Sequence, residues 1–215
     1  MLTVLLGLTG ALTYGGADFF GGLAARRSST LLTTAGVAIV GLVGLVIASV
    51  FVPAISSADA WLYGGASGIA GAIGIGLLYG SLAIGPMSIL SPATAFISAI
   101  VPVSVGLYQG EGGEASFFIA LALALVAIIL VGFVPEKGAL RPRPLGLLMA
   151  VGSGTSIGLT IVLIDRSPAD SGLIPLLANR IVSTTVLLAC IAVLVAFRVA
   201  RSRTPRLPGA TKLLS

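Results

Sequence analysis

The sequence predicts an all-helical integral membrane protein, and three observations support this fold class. Of the 215 residues, 57% are hydrophobic and 9% are charged, and the mean hydropathy is +1.14. Soluble domains carry about 25% charged residues, so this chain lacks the polar side chains that cover a water-facing core. Its apolar segments reach the length of about 20 residues that a membrane-spanning helix needs. They do not alternate with a period of two, as the strands of a transmembrane barrel would.

Seven segments of the chain qualify as membrane crossings. Residues 60–110 contain no charged side chain, a run long enough for two crossings, and the break between these two falls at Gly85 and Pro86, a turn signal. The first segment lacks the basic leading region of a cleaved signal peptide and is expected to be a crossing. The predicted crossings are Leu2–Leu23, Leu31–Val52, Trp61–Ala83, Ser88–Tyr108, Ala115–Val134, Leu145–Ile164 and Leu173–Phe197.

The charges in the connections provide an independent test of this count. With seven crossings, the connections after the first and fifth segments share one membrane face with the C-terminal tail. That face carries ten basic residues and one acidic residue, whereas the opposite face carries one basic and five acidic residues. The positive-inside rule then places the basic face in the cytoplasm and the N-terminus outside. The ten basic residues are Arg26, Arg27, Lys137, Arg141, Arg143, Arg198, Arg201, Arg203, Arg206 and Lys212.

The side chains available exclude several kinds of chemistry. The chain has no His and a single Cys, Cys190, so no His-dependent triad, His-ligated haem or thiolate metal site is expected. The apolar surroundings of Cys190 predict a buried, inert thiol. No glycine-rich run is followed by Lys and Ser or Thr after a strand, so no phosphate-binding loop is expected. We therefore expect no cofactor and no metal, and we interpret the net charge of +5 as a topology signal rather than as nucleic-acid binding.

Part of the first segment recurs in the sixth, 139 residues later. Five crossings separate the two copies, which forces them into opposite orientations, and inverted repeats are typical of transporters with a binding site near the bilayer midplane. Some of these matches arise by chance in a chain so rich in Leu, Gly and Ala. The seven matched residues are Leu6, Gly7, Leu8, Ala11, Gly15, Arg27 and Ser28, which recur as Leu145, Gly146, Leu147, Ala150, Gly154, Arg166 and Ser167.

Glycines spaced four residues apart run along several segments. Such pairs let two helices approach closely, and we predict that they serve mainly in helix packing. The pairs are Gly64 with Gly68, Gly76 with Gly80, Gly106 with Gly110 and Gly154 with Gly158.

A group of short motifs runs from the end of the third segment to the end of the fourth. It comprises residues 78–83 (LYGSLA), Ser88–Ala95, residues 100–103 (IVPV) and residues 109–111 (QGE). Together with Arg180 early in the seventh segment, these motifs resemble the EamA domain of the drug/metabolite transporter superfamily. Members of that family typically have ten helices in two inverted five-helix repeats, and they export small metabolites.

The resemblance implies a division of the chain into four parts. Residues 1–134 would form one complete repeat and 145–199 two helices of a second, joined by a charged connection at 135–144 and followed by a basic tail at 200–215. Three helices of the family's usual ten have no counterpart. Family members also typically place the N-terminus inside, so the resemblance and the charge bias imply opposite orientations.

Two charged side chains fall inside predicted crossings. Asp18 lies in the first segment and Arg180 about two turns into the seventh. A charge at the bilayer centre costs about 2.5–3.5 kcal/mol on insertion scales, so it normally faces a cavity or a partner. Asp18 is the candidate for coupling transport to a proton or cation. Arg180 either pairs with Asp18 as part of the structure or holds an anionic substrate group, and Asn179 can assist either role. The alternative for Asp18 is that it is solvated near the interface.

The fourth segment contains two prolines, Pro92 and Pro102, each of which frees a backbone carbonyl one turn earlier. In a bilayer such carbonyls need another donor. One interpretation is a kinked helix that lines a substrate path, and the other is internal satisfaction by hydroxyl groups of the same helix. The candidate substrate-binding residues on this path are Tyr14, Tyr79, Ser91, Thr94 and Pro102, together with Asp18, Asn179 and Arg180.

The sequence therefore predicts a multi-pass protein of the cell membrane that transports a small organic solute, with the lipid bilayer and a homo-oligomer as its other partners. One alternative is a non-transporting membrane protein that acts as a fragment or an assembly partner. An intramembrane enzyme is not expected, because the crossings offer Asp18 and scattered hydroxyls rather than converging catalytic groups.

Overall fold

A computed structural model of the protein describes residues 2–110, 115–132 and 143–203, and these ranges form α-helices joined by short connections, without β-strands. Five of the described helices are long and apolar enough to cross a membrane, which confirms a helical, multi-pass membrane fold. The helices are α1 (Leu2–Arg27), α2 (Thr30–Ser49), α3 (Ala58–Ile84), α4 (Met87–Tyr108), α5 (Ala115–Gly132), α6 (Pro144–Asp165) and α7 (Ile174–Arg203).

The five spanning candidates are α2, α3, α4, α6 and the Ile174–Ala196 part of α7. The predicted crossings at 2–23 and 115–134 are helical as far as they are described, as α1 and α5, but they are not among the five. In α5 the apolar stretch is shorter, at Phe117–Ala127. A count of seven crossings therefore stays a prediction. Most of the charged connection at 135–144 and the tail beyond residue 203 lie outside the described residues.

Local sequence explains where the helices begin and end. The Ser57 hydroxyl accepts a hydrogen bond from the backbone N–H of Ala60 at 3.2 Å, which caps the start of α3 three residues before the predicted boundary. Gly85 is extended and ends α3, and Pro86 is the N-cap residue of α4, at the predicted turn. Pro144 occupies the first position of α6, where its missing N–H costs nothing.

Helix α3 is the centre of the fold and packs against α1, α2, α6 and α7. Its glycines allow this approach. A Cβ added at Gly64 would lie 2.5 Å from the Pro175 carbonyl oxygen, and one added at Gly68 would lie 2.5 Å from that of Asn179. On the other side of α6, a Cβ at Gly154 would lie 2.7 Å from the Thr94 carbonyl oxygen of α4. The predicted role of these glycine pairs in packing is confirmed here, whereas a Cβ at Gly76 would meet nothing within 4 Å.

Buried polar groups join the central helices. The Asn179 side-chain amide of α7 donates to Ser67 Oγ of α3 at 2.8 Å, and Ser153 Oγ of α6 donates to the Gly74 carbonyl oxygen of α3 at 2.7 Å. Such bonds are favoured in a bilayer because no water is present to replace them. They fix the register of α6 and α7 on α3.

The two ends of α3 are attached to different neighbours. At its C-terminal end, the Arg26 side chain of α1 donates from Nε to the Leu82 carbonyl oxygen at 3.0 Å and from Nη2 to that of Gly85 at 2.8 Å. At the opposite end, the connection that precedes α3 meets the connection that precedes α7, where the Ile55 N–H donates to the Asp170 carbonyl oxygen at 3.0 Å. Both sets of hydrogen bonds therefore lie at the ends of α3 and not at its middle.

Candidate functional site

The candidate site comprises Asp18 of α1, Tyr79 of α3 and Arg180 of α7, and we call these three residues the charged site. Gly21 of α1 determines where the Tyr79 side chain lies in this site. A Cβ added at Gly21 would collide with the ring and the hydroxyl of Tyr79, so the bare glycine lets the phenol lie directly against α1. Asp18 precedes Gly21 by three residues and therefore lies on the same side of α1. Tyr79 is 2% exposed, and it makes no hydrogen bond to another described residue.

A second glycine, Gly41 of α2, positions Arg180. A Cβ added at Gly41 would lie 3.2 Å from Arg180 Nε and 3.3 Å from Cζ, so the guanidinium group crosses α2 at this residue. The packing of α2 against α7 continues beyond this residue, where Ala38 of α2 belongs to the same buried cluster as Leu187 of α7. Arg180 of α7 is thus positioned by its packing against α2, whereas Asp18 is carried by α1 itself.

The two charged side chains do not pair with each other. Tyr79 lies within electrostatic range of both Asp18 and Arg180. Within the described ranges, neither charged side chain forms an ion pair or a hydrogen bond. The structural ion pair considered as an alternative is therefore not formed in this structure. Both charges are half-buried and remain available to a ligand.

An additional polar group lies on α7 one turn beyond Arg180. The Thr184 hydroxyl is buried and has no hydrogen-bond partner among the described residues. Residues four apart share a helix face, so this donor is on the side of α7 that carries Arg180. A guanidinium group and a hydroxyl are both donors that suit a carboxylate or another oxyanion. The sequence analysis did not single out Thr184.

The remaining predicted site residues are distributed over the fold. Asn179 is 8% exposed and bonds to Ser67 between α3 and α7, which gives its amide a structural partner. Thr94 is 3% exposed and donates to the carbonyl oxygens of Leu90 at 3.0 Å and of Ala150 at 3.3 Å, within the contact of α4 with α6. Ser91 and Pro102 are partly buried on α4. No hydrogen bond links these α4 residues to the charged site in the described part of the chain.

Two predicted side chains lie on outward faces of the bundle. Tyr14 is 74% exposed on α1, so the structure does not bring it to Tyr79. Cys190 is also exposed, and the expectation of a buried thiol was wrong. Its apolar neighbours on α7, such as Leu188 and Val193, are themselves exposed on the outer surface of the helix. In a membrane protein an apolar neighbourhood indicates lipid contact as readily as burial.

The residues that sequence analysis missed are mostly the ones that position the charges. Gly21 and Gly41 matter because of what packs against them, and a single sequence does not reveal that partner. Arg26 was assigned to the charge bias only, whereas it bonds to the end of α3. Within the described residues, no group of three or more His, Cys, Asp or Glu side chains could hold a metal ion.

The fold and this site define a multi-pass helical membrane protein with unpaired charges inside its bundle. No protein-family model, curated protein or solved structure matches the chain.

Proposed function

We propose that the protein transports a small organic solute across the cell membrane by alternating access, in the direction of export, and that the charged site binds the solute. The observation that carries this proposal is the presence of two half-buried charges, Asp18 and Arg180, that have no partner among the described residues. A charge in the hydrocarbon region costs about 2.5–3.5 kcal/mol, a cost that a ligand group or a water-filled path can offset.

The resemblance to the EamA domain and the repeat at an offset of 139 residues support the same function. Inverted repeats place a binding site near the bilayer midplane at the repeat interface. Asp18 and Arg180 belong to the predicted first and seventh of seven crossings, and their helices both contact α3. In this proposal α3 is the common support against which the two sides of the site move.

Proton coupling through Asp18 is the second part of the proposal. A carboxylate that exchanges a proton during the cycle links solute movement to a pH gradient. In proteoliposomes, we expect Asp18→Asn to abolish the pH dependence of flux while Asp170→Asn, in the connection before α7, preserves it. An unchanged pH dependence in Asp18→Asn would contradict proton coupling at this residue.

The test of transport is solute flux in proteoliposomes that contain the purified protein. A mixture of metabolites would be loaded and its loss followed by mass spectrometry, with and without a pH gradient. We expect one or more small solutes to leave faster than from protein-free liposomes, and Arg180→Gln to reduce that flux at least tenfold. An absence of flux from a folded, inserted preparation would refute the proposal.

An assembly partner without transport activity is the second candidate function, and one observation favours it. In the N-terminal half of α1, a Cβ added at Gly7 or Gly10 would meet nothing within 4 Å, and Tyr14, on the same side of the helix, is exposed. A glycine-rich helix face of this kind suits close packing against another helix. Copurification of a stoichiometric membrane partner, together with an absence of flux, would support this second candidate.

A further inference from the structure

The charged site carries two opposite charges, and neither has a partner among the described residues. We infer that it selects solutes that carry a cationic and an anionic group in one molecule, with the anionic group at Arg180 and the cationic group at Asp18. This inference rests on the proposed function, because it specifies the solute of the same site.

The first step of the argument is that a singly charged ligand would leave one charge of the site unpaired. An anion at Arg180 satisfies the guanidinium but adds to the negative charge near Asp18, and a cation at Asp18 does the reverse. In a low-dielectric environment an unpaired charge is costly, so the second group of a doubly charged ligand contributes strongly to binding. A net-neutral molecule with both groups pairs both charges at once.

The second step is that the structure holds the two charges apart. Arg180 is positioned across α2 at Gly41, whereas Asp18 lies on α1 next to the wall formed by Gly21 and Tyr79. Tyr79 is within electrostatic range of both charges, and its hydroxyl both donates and accepts hydrogen bonds. Its hydroxyl lies against Gly21, one turn from Asp18, and can therefore contact the end of a ligand that is bound there.

The third step concerns the anionic end. The Thr184 hydroxyl is buried without a partner one turn beyond Arg180. A buried hydroxyl that lacks a hydrogen bond is unfavourable, and an oxyanion bound to Arg180 would give it an acceptor. Beside Asp18, the carboxylate and the Tyr79 hydroxyl can both act as acceptors, which suits a cationic group there.

The experiment measures ligand-induced stabilisation of the purified protein, because a bound ligand raises the unfolding temperature by mass action. Unfolding would be followed by the fluorescence of Trp61, the single tryptophan. The probes are glycine, 4-aminobutanoate and 6-aminohexanoate, which carry both charges at increasing separation. Butanoate and butylammonium are the matched ligands with one charge each.

We expect at least one doubly charged probe to stabilise the protein at a concentration about tenfold lower than butanoate or butylammonium requires, because each charged hydrogen bond adds about that factor or more. Equal effects of a singly charged and a doubly charged probe would overturn the inference. So would the absence of any shift up to about 10 mM, where a site of millimolar affinity is mostly occupied.

Variants separate a binding role from a structural one through selectivity. In Asp18→Asn, the doubly charged probe should lose its advantage over butanoate, and in Arg180→Gln it should lose its advantage over butylammonium.

Gly41→Val retains every charge but displaces the guanidinium group, and we expect about tenfold weaker binding of the doubly charged probe. Gly44→Val is its control, since a Cβ at Gly44 of the same helix meets nothing within 4 Å. If Asp18→Asn and Arg180→Gln weaken the binding of every probe by the same factor, the assignment of the two ends is wrong.

This experiment also separates the inference from the proposed function. If flux occurs but the singly charged probes bind as well as the doubly charged ones, transport stands and the solute class is wrong. If doubly charged probes bind selectively but no solute crosses the liposome membrane, the solute class stands and transport is wrong.

Discussion

At the scale of single residues, glycine decides where the charged side chains lie. Gly21 and Gly41 face the middle of the bundle from α1 and α2, and each accommodates a large polar side chain of another helix, Tyr79 and Arg180 respectively. Their lack of a Cβ, rather than their conformational freedom, is the property in use, because both have helical backbone. A substitution there is a steric probe of the charged site.

We predict that Gly21→Val lowers the free energy of unfolding by about 1–3 kcal/mol, the usual cost of an added side chain in a packed region. The Cβ would occupy the position of the Tyr79 ring. Gly16→Val is the matched control on the same helix, since a Cβ there meets nothing within 4 Å. Thermal unfolding followed by Trp61 fluorescence measures both variants, and equal unfolding temperatures would show that Tyr79 does not contact Gly21.

Ser67 and Asn179 provide a second prediction at this scale, because their hydrogen bond is fully buried. Ser67→Ala leaves the Asn179 amide without its acceptor, and we expect a loss of about 0.6–1.7 kcal/mol, the range measured for hydrogen bonds between membrane helices. The control is Ser49→Ala, whose exposed hydroxyl bonds only to the Val46 carbonyl oxygen. Unchanged stability of Ser67→Ala would argue that Asn179 is free to serve a ligand, as the sequence analysis had predicted.

At the scale of helices, the contact of α3 with α7 depends on backbone approaching backbone. We predict that Gly68→Ala destabilises the protein by about 1–3 kcal/mol, because its Cβ would lie 2.5 Å from the Asn179 carbonyl oxygen, an atom that no side-chain rotation can move. Gly76→Ala on the same helix should be neutral or stabilising, by up to about 1 kcal/mol from helix propensity. Unfolding in denaturing detergent compares the two, and a reversed order would contradict the packing.

The attachment of α1 to α3 is the other contact to test at this scale. In Arg26→Ala the carbonyl oxygens of Leu82 and Gly85 lose their donor. We expect a loss towards the lower end of the about 1.5–3 kcal/mol typical of charged hydrogen bonds, because Arg26 is exposed. Arg27→Ala removes the same charge and no described hydrogen bond, and it should change stability by less than about 0.5 kcal/mol. Faster amide hydrogen exchange at the C-terminal end of α1 in Arg26→Ala alone would identify the attachment, and equal exchange in both variants would refute it.

At the scale of the whole molecule, the charge bias makes a prediction about orientation. In a Cys190→Ser background, a cysteine at Ser56, between α2 and α3, should react with a membrane-impermeant maleimide added from outside. A cysteine at Ser29, between α1 and α2, should react only after the membrane is opened. The opposite result would support the orientation typical of the EamA domain, and labelling of both from one side would show that α2 does not cross.

Much of the fold was predictable because it depends on local sequence. The breaks at Ser28, Gly85 and Ser167 coincide with the ends of helices, because charged residues precede Ser28 and Ser167 and a Gly-Pro turn signal falls at Gly85. The charged residues of the site were also predictable, as Asp18 and Arg180 stand out in apolar segments. The packing of Arg180 against Gly41 was not predictable, because the sequence around a helical glycine does not indicate which side chain of another helix packs against it.

The opposite attachments of α1 and α7 on α3 have a mechanical consequence. Helix α1 is fastened at Arg26, whereas α7 is fastened near Pro175, at the other end of α3. Because α7 stays packed on α3 from Pro175 to Asn179, the separation of the two charges changes most directly through a tilt of α1 about Arg26. Asp18 is eight residues from Arg26, about 12 Å of helix, so a tilt of about 10° moves its carboxylate by about 2 Å. A displacement of that size is enough to make or break a hydrogen bond while the α3 core stays packed.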